Sequence, residues 1–392
     1  MLPEGWRETT LGKCVKIYSG YAPAMINLKD KGLYPYIKVD DLNNNDKYQV
    51  DARQYFMDDK YCVPASSVIF PKRGAAIMNN KIRIAVGKVG LDTNIMAIYP
   101  IENVCISEFM YYMINQVGLH KIADISTIPQ INNKHINPYK IKLPPLLEQE
   151  KIAAILSTWD KAISMTDALL ANSRQQKKAL MQQLLTGKRR LPGFTGEWKK
   201  CLLGNLLREI KRQIIWDDNA FYKLLSVKRR SEGVVLREIM QGKNILTKKM
   251  NEVYAGDFLI SKMQVVHGAM AMVPENFDKF HVSDSYITLI PRRSNILYMP
   301  FFDHFSRQLK MYHMALISSY GVHIEKMTFN IASFLKKSIF IPVDISEQRA
   351  IAAVLDAADK EIVLLEQKAA RLREEKKALM QQLLTGKRRV RL

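Results

Sequence analysis

A segment of fourteen residues occurs twice in this chain, as KKALMQQLLTGKRR at 177–190 and again, letter for letter, at 376–389. The correspondence continues upstream at the same offset of 199 residues, where the pair Glu-Gln at 148–149 matches the pair at 347–348. Self-similarity over such a distance indicates two copies of one structural plan. We therefore interpret the chain as a tandem repeat with pseudo-twofold symmetry.

The repeated segments are predicted to be long helices that form a coiled coil. Apolar residues recur at alternating steps of four and three, which is the period of a coiled-coil seam. The predicted seam comprises Ile152, Leu156, Trp159, Ile163, Leu170, Leu180 and Leu184 in the first copy and Ile351, Leu355, Ile362, Leu365, Leu372, Leu379 and Leu383 in the second. Each helix should span roughly 39 residues, or about 58 Å.

Such long helices exceed the core of an ordinary domain, so we expect them to pair antiparallel with each other. The alternative is that each helix packs only on its own domain. Lys177 and Lys376 also fall in the seam register, where a lysine must meet a carboxylate or extend towards solvent. Asp344, three residues before Glu347, predicts a capping box at the start of the second helix.

The segments that precede the helices contain short apolar runs typical of strands. These runs lie at 67–70, 94–99, 257–260 and 285–290. One amphipathic helix is predicted in each segment, at 107–117 and at 300–318. The expected fold class is α+β (mixed α/β), with two similar globular domains separated by the two helices. The predicted limits are 1–147 for the first domain, 148–193 for the central helix, 194–346 for the second domain and 347–392 for the distal helix.

The net charge points to a nucleic-acid partner. Lysine and arginine total 59 against 38 aspartate and glutamate, a formal charge of +21. Such an excess favours a polyanion such as double-stranded DNA, although a solubilising surface is the alternative. The N-terminal residues lack the pattern of a signal peptide and no apolar run could span a membrane, so we expect a soluble cytoplasmic protein. The cysteines at 14, 62, 105 and 201 show no metal or disulfide spacing.

Basic and amide residues in the loops of the two domains are the candidate DNA contacts. Arginine and lysine read guanine edges, while asparagine and glutamine read adenine edges. The candidates are Lys72, Arg73, Lys81, Arg83, Gln130, Asn132, Asn133 and Lys134 in the first domain, and Lys228, Arg229, Arg230, Lys262, Gln264 and His267 in the second. A phosphate contact or a plain surface charge is the alternative for each of them.

Motifs for catalysis are not found, so we predict no catalytic and no metal-binding residue. Asn137-Pro138-Tyr139 lacks the second proline of an adenine methyltransferase motif. Gly187-Lys188 is followed by Arg189 rather than by the serine or threonine of a phosphate-binding loop. The seven histidines show no metal spacing.

Several segments resemble the specificity subunits of type I restriction–modification systems. The resemblance rests on LPEGW at 2–6, on PPLLEQEKIAAIL at 144–156, on STIPQIN at 126–132 and on the repeated QQLLTG, and it covers the whole chain. The second domain departs from it, since Met327–Ile331 stands where a Thr-Ile-Pro-Gln segment would be expected.

The resemblance implies a DNA-binding subunit that reads two different half-sites separated by unread bases. It also implies assembly with two modification subunits that methylate adenine with S-adenosylmethionine, and with restriction subunits that use ATP and Mg²⁺, in defence against phage. None of these cofactors is expected on this chain. From the residues alone, an autonomous DNA-modifying enzyme and a coiled-coil scaffold for RNA or protein remain alternatives.

Overall fold

The computed structural model describes residues 2–43, 47–324 and 327–391. The chain divides into two compact units, one formed by Met1–Asp167 together with Gln367–Leu392, the other by Ala168–Glu366. Each unit contains one globular domain and a part of both long helices, α4 (Leu146–Leu184) and α9 (Ile345–Leu383). Both helices are 39 residues long, and the mixed α/β fold class predicted from the sequence is confirmed.

The first domain is built on two sheets. Its strands are β1 (Arg7–Thr10), β2 (Val15–Ser19), β3 (Tyr34–Ile37), β4 (Tyr48–Gln49), β5 (Gln54–Phe56), β6 (Cys62–Val63), β7 (Val68–Pro71), β8 (Arg83–Ala85), β9 (Val89–Leu91), β10 (Ile95–Pro100) and β11 (Lys140–Leu143), and its short helices are α1 (Ala75–Met78), α2 (Ser107–Val117) and α3 (Asn133–Ile136). The strand orders are β2-β10-β7-β8-β4 and β5-β3-β9-β6, and β1 pairs antiparallel with β11. Helix α2 coincides with the helix predicted at 107–117 and buries Phe109, Tyr112 and Ile114 in the main core.

The second domain repeats this plan with other residues. Its strands are β12 (Trp198–Leu202), β13 (Leu207–Ile210), β14 (Phe221–Val227), β15 (Val234–Gln241), β16 (Met250–Val253), β17 (Phe258–Ser261), β18 (Met270–Met272), β19 (Phe280–Ser283), β20 (Tyr286–Pro291), β21 (Ser319–Tyr320), β22 (Thr328–Phe329) and β23 (Ser338–Pro342), and its helices are α5 (Leu203–Leu206), α6 (Met299–Ser306), α7 (Leu309–Leu316) and α8 (Ile331–Leu335). The larger sheets have the orders β13-β20-β17-β18 and β15-β14-β19-β16.

The single helix predicted at 300–318 is in fact two helices, α6 and α7. The break falls at Gln308, whose backbone is extended (φ −79°, ψ 148°). Arg307, which ends α6, donates from one guanidinium to Asp303 at 2.6 Å and to Asp359 of α9 at 3.1 Å. Arg307 and Asp359 lie far apart in the sequence, so the apolar period could not reveal the ion pair between them.

The two long helices pack antiparallel within each unit. In the first unit the start of α4 (Ile152, Leu156) shares a core with the end of α9 (Met380, Leu383). In the second unit the end of α4 shares a core with the start of α9. Of the predicted seam residues, Ile152, Leu156, Leu184, Ile351, Leu355 and Leu383 are fully buried, and Trp159, Ile163, Leu170, Leu180, Ile362, Leu365, Leu372 and Leu379 are half-buried.

The middle of the seam contains polar and small residues, of which the search for apolar steps did not reveal the polar ones, Thr166 and Ser173. Thr166, Ser173 and Ala369 occupy heptad positions there and are 3%, 8% and 2% exposed. The two lysines in the seam register meet carboxylates: Lys376 pairs with Asp160 in the first unit, and Lys177 pairs with Asp359 in the second. These ion pairs are equivalent under the 199-residue offset.

The start of each long helix is fixed to its own domain by a buried glutamine. Gln149 is fully buried, and its Nε2 donates to the carbonyl oxygens of Val104 and Pro144 at 3.0 and 2.9 Å while its Oε1 accepts from the N–H of Ile106 at 3.1 Å. Gln348 makes the equivalent bonds in the second unit. The amide side chain thus satisfies three backbone groups that would otherwise be buried without partners.

A buried glutamate beside each glutamine binds the last arginine of the repeated segment. Glu148 accepts from Arg389 at 2.8 and 2.9 Å and from the indole N–H of Trp6 at 3.0 Å. In the second unit Glu347 accepts from Arg190 at 2.7 Å and from Trp198 at 3.3 Å. The contacts of Glu347 show that the capping box predicted from Asp344 and Glu347 is not fully formed.

At the start of α9, Asp344 does accept from the N–H of Ser346 at 2.8 Å, as a helix cap should. The Glu347 carboxylate, however, binds Arg190 and Trp198 instead of the backbone. The box is therefore half formed, because a tertiary ion pair competes for its glutamate.

Candidate nucleic-acid interface

In the first domain, two separate loops that were predicted to contact DNA lie against each other. Lys72 and Arg73 follow strand β7, and Gly74, whose φ of 79° favours glycine, turns the chain away. The N–H of Gly74 donates to Pro129 O at 2.8 Å, and the N–H of Ile131 donates to Lys72 O at 2.9 Å. These bonds bring the two basic residues next to Gln130 and to the start of α3.

The candidates around this contact differ in exposure. Arg73, Asn133 and Lys134 are exposed, while Lys72, Gln130 and Asn132 are half-buried, and the N–H of Asn132 donates to His135 Nδ1 at 3.1 Å. Burial, followed by the charge of Arg73, lowers the pKa of Lys72. An anion placed beside this ammonium would oppose that lowering of the pKa by favouring the charged form, and a DNA phosphate is such an anion.

Lys81 and Arg83 lie at the entry to β8, the neighbour of β7 in the sheet. Lys81 is half-buried. The Arg83 guanidinium donates to the carbonyl oxygens of Leu42 and Ile82 at 2.6 and 2.7 Å. These bonds tie Arg83 to the loop before β4, so its side chain supports the domain as well as facing the surface.

The loop 124–130 beside Arg73 presents two apolar side chains to solvent. Asp124 and Gln130 exchange two backbone hydrogen bonds of 2.9 Å, which close the loop, and the Asp124 carboxylate accepts from the N–H and Oγ of Ser126. Ile125 is 58% exposed and Ile128 is 69% exposed. Sequence reasoning selected only Gln130 from this segment and did not predict that its isoleucines are exposed, because apolar residues in a sequence are usually assigned to the core.

In the second domain, the hairpin loop 228–233 carries Lys228, Arg229 and Arg230 between β14 and β15. It packs on the loop that follows β17, where the N–H of Ser231 donates to Gly268 O at 3.0 Å. The candidates Lys262, Gln264 and His267 belong to this second loop. The structure thus brings together the two sets of residues that were predicted separately for this domain.

The members of this second cluster are held in different ways. Lys228, Arg229 and Arg230 are exposed, whereas Gln264 and His267 are half-buried. Lys262 donates its ammonium to the carbonyl oxygen of Asp284. The Gln264 carbonyl oxygen accepts from the N–H groups of His267 and Ala269, which gives the loop a fixed form.

Two other kinds of site are absent from the described ranges. They contain no group of three or more His, Cys, Asp or Glu side chains placed to hold a metal ion. None of their helices is both long and apolar enough to cross a membrane. Each domain does contain one pair of adjoining loops that carry predicted DNA contacts.

Comparison with known proteins identifies the family. The model of the type I restriction modification DNA specificity domain matches residues 3–172 and 211–374. The chain therefore belongs to this family, whose specificity subunits are the non-catalytic DNA-recognition subunits of type I restriction–modification complexes. The family domain occurs twice, once in each half of the chain, as the internal repeat predicted.

Individual relatives and solved structures agree with this assignment. The chain is 24% identical over 425 residues to the candidate type I restriction enzyme MjaX specificity subunit of Methanocaldococcus jannaschii, covering 99% of this chain and 95% of that protein. A match to the MjaVIII specificity subunit of the same organism, 25% identical, covers 47% of this chain and 43% of that subunit. Among structures, the S subunit from M. genitalium superposes with a TM-score of 0.59 at 13% identity, covering 97% and 96% of the two chains. The HsdS subunit from Thermoanaerobacter tengcongensis gives 0.53 at 18% identity, covering 98% of each.

Proposed function

We propose that each unit of this specificity subunit reads one half of a bipartite, asymmetric DNA target. The observation that carries the proposal is the pairing of basic loops. Each domain joins the loop after one central strand, β7 or β17, to a second polar loop through backbone hydrogen bonds. The two clusters share this plan and differ in side chains, so they suit two different half-sites.

The recognition domains in this proposal are residues 1–147 and 194–346, and the helical segments 148–193 and 347–392 serve as the scaffold. We infer that this scaffold binds two modification subunits and, in the complete nuclease, restriction subunits. S-adenosylmethionine, ATP and Mg²⁺ belong to those partners, while this chain contributes sequence recognition. Because its target is the DNA of the cell and of invading phage, the complex acts in the cytoplasm.

Methylation mapping tests this function. We expect that a genome carrying this chain and its modification partner acquires one methylated motif with two different half-sites and an unread spacer. Substitution of Lys228 by alanine should alter occupancy through the second half-site, while Lys72→Ala should act through the first. A palindromic motif, or methylation that does not depend on this chain, would contradict the proposal.

A further inference from the structure

The hairpin loop of the second domain contains two consecutive left-handed residues that are not glycine. Arg230 has φ 58° and ψ 28°, and Ser231 has φ 55°. This conformation is unfavourable for a residue with a Cβ, because the Cβ approaches the following carbonyl oxygen. Strained backbone of this kind persists where surrounding contacts hold it, and it concentrates at functional sites.

Two hydrogen bonds, one to the loop that contains Gly268 and one to α7, hold the strained pair in place. The N–H of Ser231 donates to Gly268 O at 3.0 Å, and the Ser231 hydroxyl lies 2.6 Å from the hydroxyl of Tyr312 on α7. Gly268 allows this approach, since a Cβ there would lie 2.4 Å from Cζ of Tyr312. Tyr312 itself packs against the core of the domain, so the loop is anchored to a rigid helix.

The restraint leaves Arg230 exposed, without a hydrogen bond or ion pair to any residue that the structure describes. The anchored loop lies against the loop that contains Gln264 and His267. A bidentate contact between a guanidinium and a base edge needs an accurately placed backbone, whereas a phosphate contact tolerates a mobile one.

We infer that Arg230 reads a base in the second half-site, and that Ser231 and Tyr312 are positioning residues that fix its backbone for this contact. The inference rests on the proposed function, because it assigns a role within the second recognition domain. It gives a reason for an arginine at a position whose backbone favours glycine.

Arg230→Gly separates strain from recognition. Glycine adopts the left-handed conformation freely, so the melting temperature of the variant should rise by about 1–3 °C. Affinity of the assembled modification complex for its target should fall on the order of ten- to a hundredfold, with smaller loss on unrelated DNA of equal length. Equal losses on both DNAs would indicate a phosphate contact and overturn the inference, as would a lower melting temperature or unchanged target affinity.

Lys279→Gly is the matched control. Lys279 is also exposed, basic and left-handed (φ 60°), and it precedes β19. Because β14 and β19 run parallel with Leu224 opposite His281, Lys279 lies at the other end of the sheet from the hairpin loop. The control should gain similar thermal stability without loss of target affinity.

Tyr312→Phe tests the positioning role. Removal of the Tyr312 hydroxyl takes away one of the two hydrogen bonds that hold Ser231, and it should lower target affinity about threefold to tenfold while leaving affinity for unrelated DNA nearly unchanged. In the Arg230→Gly background the same change should have no further effect on target affinity, because both act through one contact. Additive losses would show that Tyr312 acts independently. Failure of the wild-type complex to prefer any bipartite target would refute the proposed function itself, before any variant is compared.

Discussion

Residues 1–193, expressed alone, should form a symmetric dimer. In the full chain the first domain is completed by Gln367–Leu392, whose Lys376 pairs with Asp160 and whose Arg389 binds Glu148. The fragment lacks this segment but contains, at 177–190, an identical copy of its residues 376–389. A second copy can therefore supply the same lysine, arginine and apolar side chains to the first domain, and the exchange is reciprocal.

The structure also shows where such a dimer would fit imperfectly. The offset of 199 residues places Leu170 where Ala369 lies 2% exposed, and Ser173 where Leu372 is half-buried. A leucine forced into the space of a buried alanine costs about 1–3 kcal/mol, and the dimer has two such places. Leu170→Ala should therefore tighten the dimer dissociation constant by at least about tenfold.

Sedimentation velocity over a range of concentrations measures this equilibrium. Lys177→Asp removes the partner of Asp160 and should shift the fragment towards monomer, and the charge-reversed double variant Asp160→Lys/Lys177→Asp should restore the dimer. A fragment that remains monomeric at tens of micromolar, roughly the range of weak specific association, would refute the reasoning. So would a dimer that is insensitive to the charge at position 177.

The remaining predictions concern recognition, anchoring, pH and spacing. Replacing Lys72 and Arg73 together by alanine should reduce the salt dependence of DNA binding by about one to two units if both touch phosphates, measured as the slope of affinity against salt concentration. Gln149→Leu leaves three buried backbone groups without hydrogen-bond partners, and each loss costs about 1–3 kcal/mol of stability. Calorimetry should therefore show a lower melting temperature for the first unit and little change for the second. Burial lowers the pKa of His304 below 6.5, so the imidazole binds a proton less readily in the folded second unit than in the unfolded chain. The contribution of His304 to the free energy of unfolding is therefore fully present above pH 6.5 and should be lost as the pH falls below that value. Denaturant titrations at several pH values would measure the decline. Insertion of four residues after Ser173 adds about 6 Å of helix, so methylation mapping should find unchanged half-sites with a spacer longer by one or two base pairs, about 3.4 Å each; an unchanged spacer would contradict this.

The helices were predictable because their information is local and repeated. The heptad period of apolar residues predicted the length of the two helices, and the identical segments showed that the two helices are equivalent parts of the repeat. The polar middle of the seam was not predictable from apolar steps. Thr166 and Ser173 occupy heptad positions although neither is apolar. The hydroxyl of Ser173 donates to the carboxylate of Glu361 at 3.3 Å. Only the partner helix explains that choice.

The candidate interface was predictable in composition but not in arrangement. Residue type indicated which loops could contact DNA, yet the hydrogen bonds between 72–74 and 129–131 join segments more than fifty residues apart. Likewise, nothing in the local sequence links Ser231 to Tyr312, which lie 81 residues apart in the chain. The packing of the whole domain determines long-range contacts of this kind. The residues that make them share no periodicity or motif from which the contact could be predicted.

The first unit is divided between distant parts of the chain, and this division sets the order in which the unit is made. The first domain leaves the ribosome long before residues 376–389, the last segment that it needs. At about 5–20 residues per second, synthesis of the intervening 199 residues takes roughly 10–40 s. During that interval the apolar start of α4 is uncovered, and the only matching segment within reach is its own copy at 177–190 or that of a neighbouring nascent chain. The second unit, whose parts are continuous from 168 to 366, has no such wait.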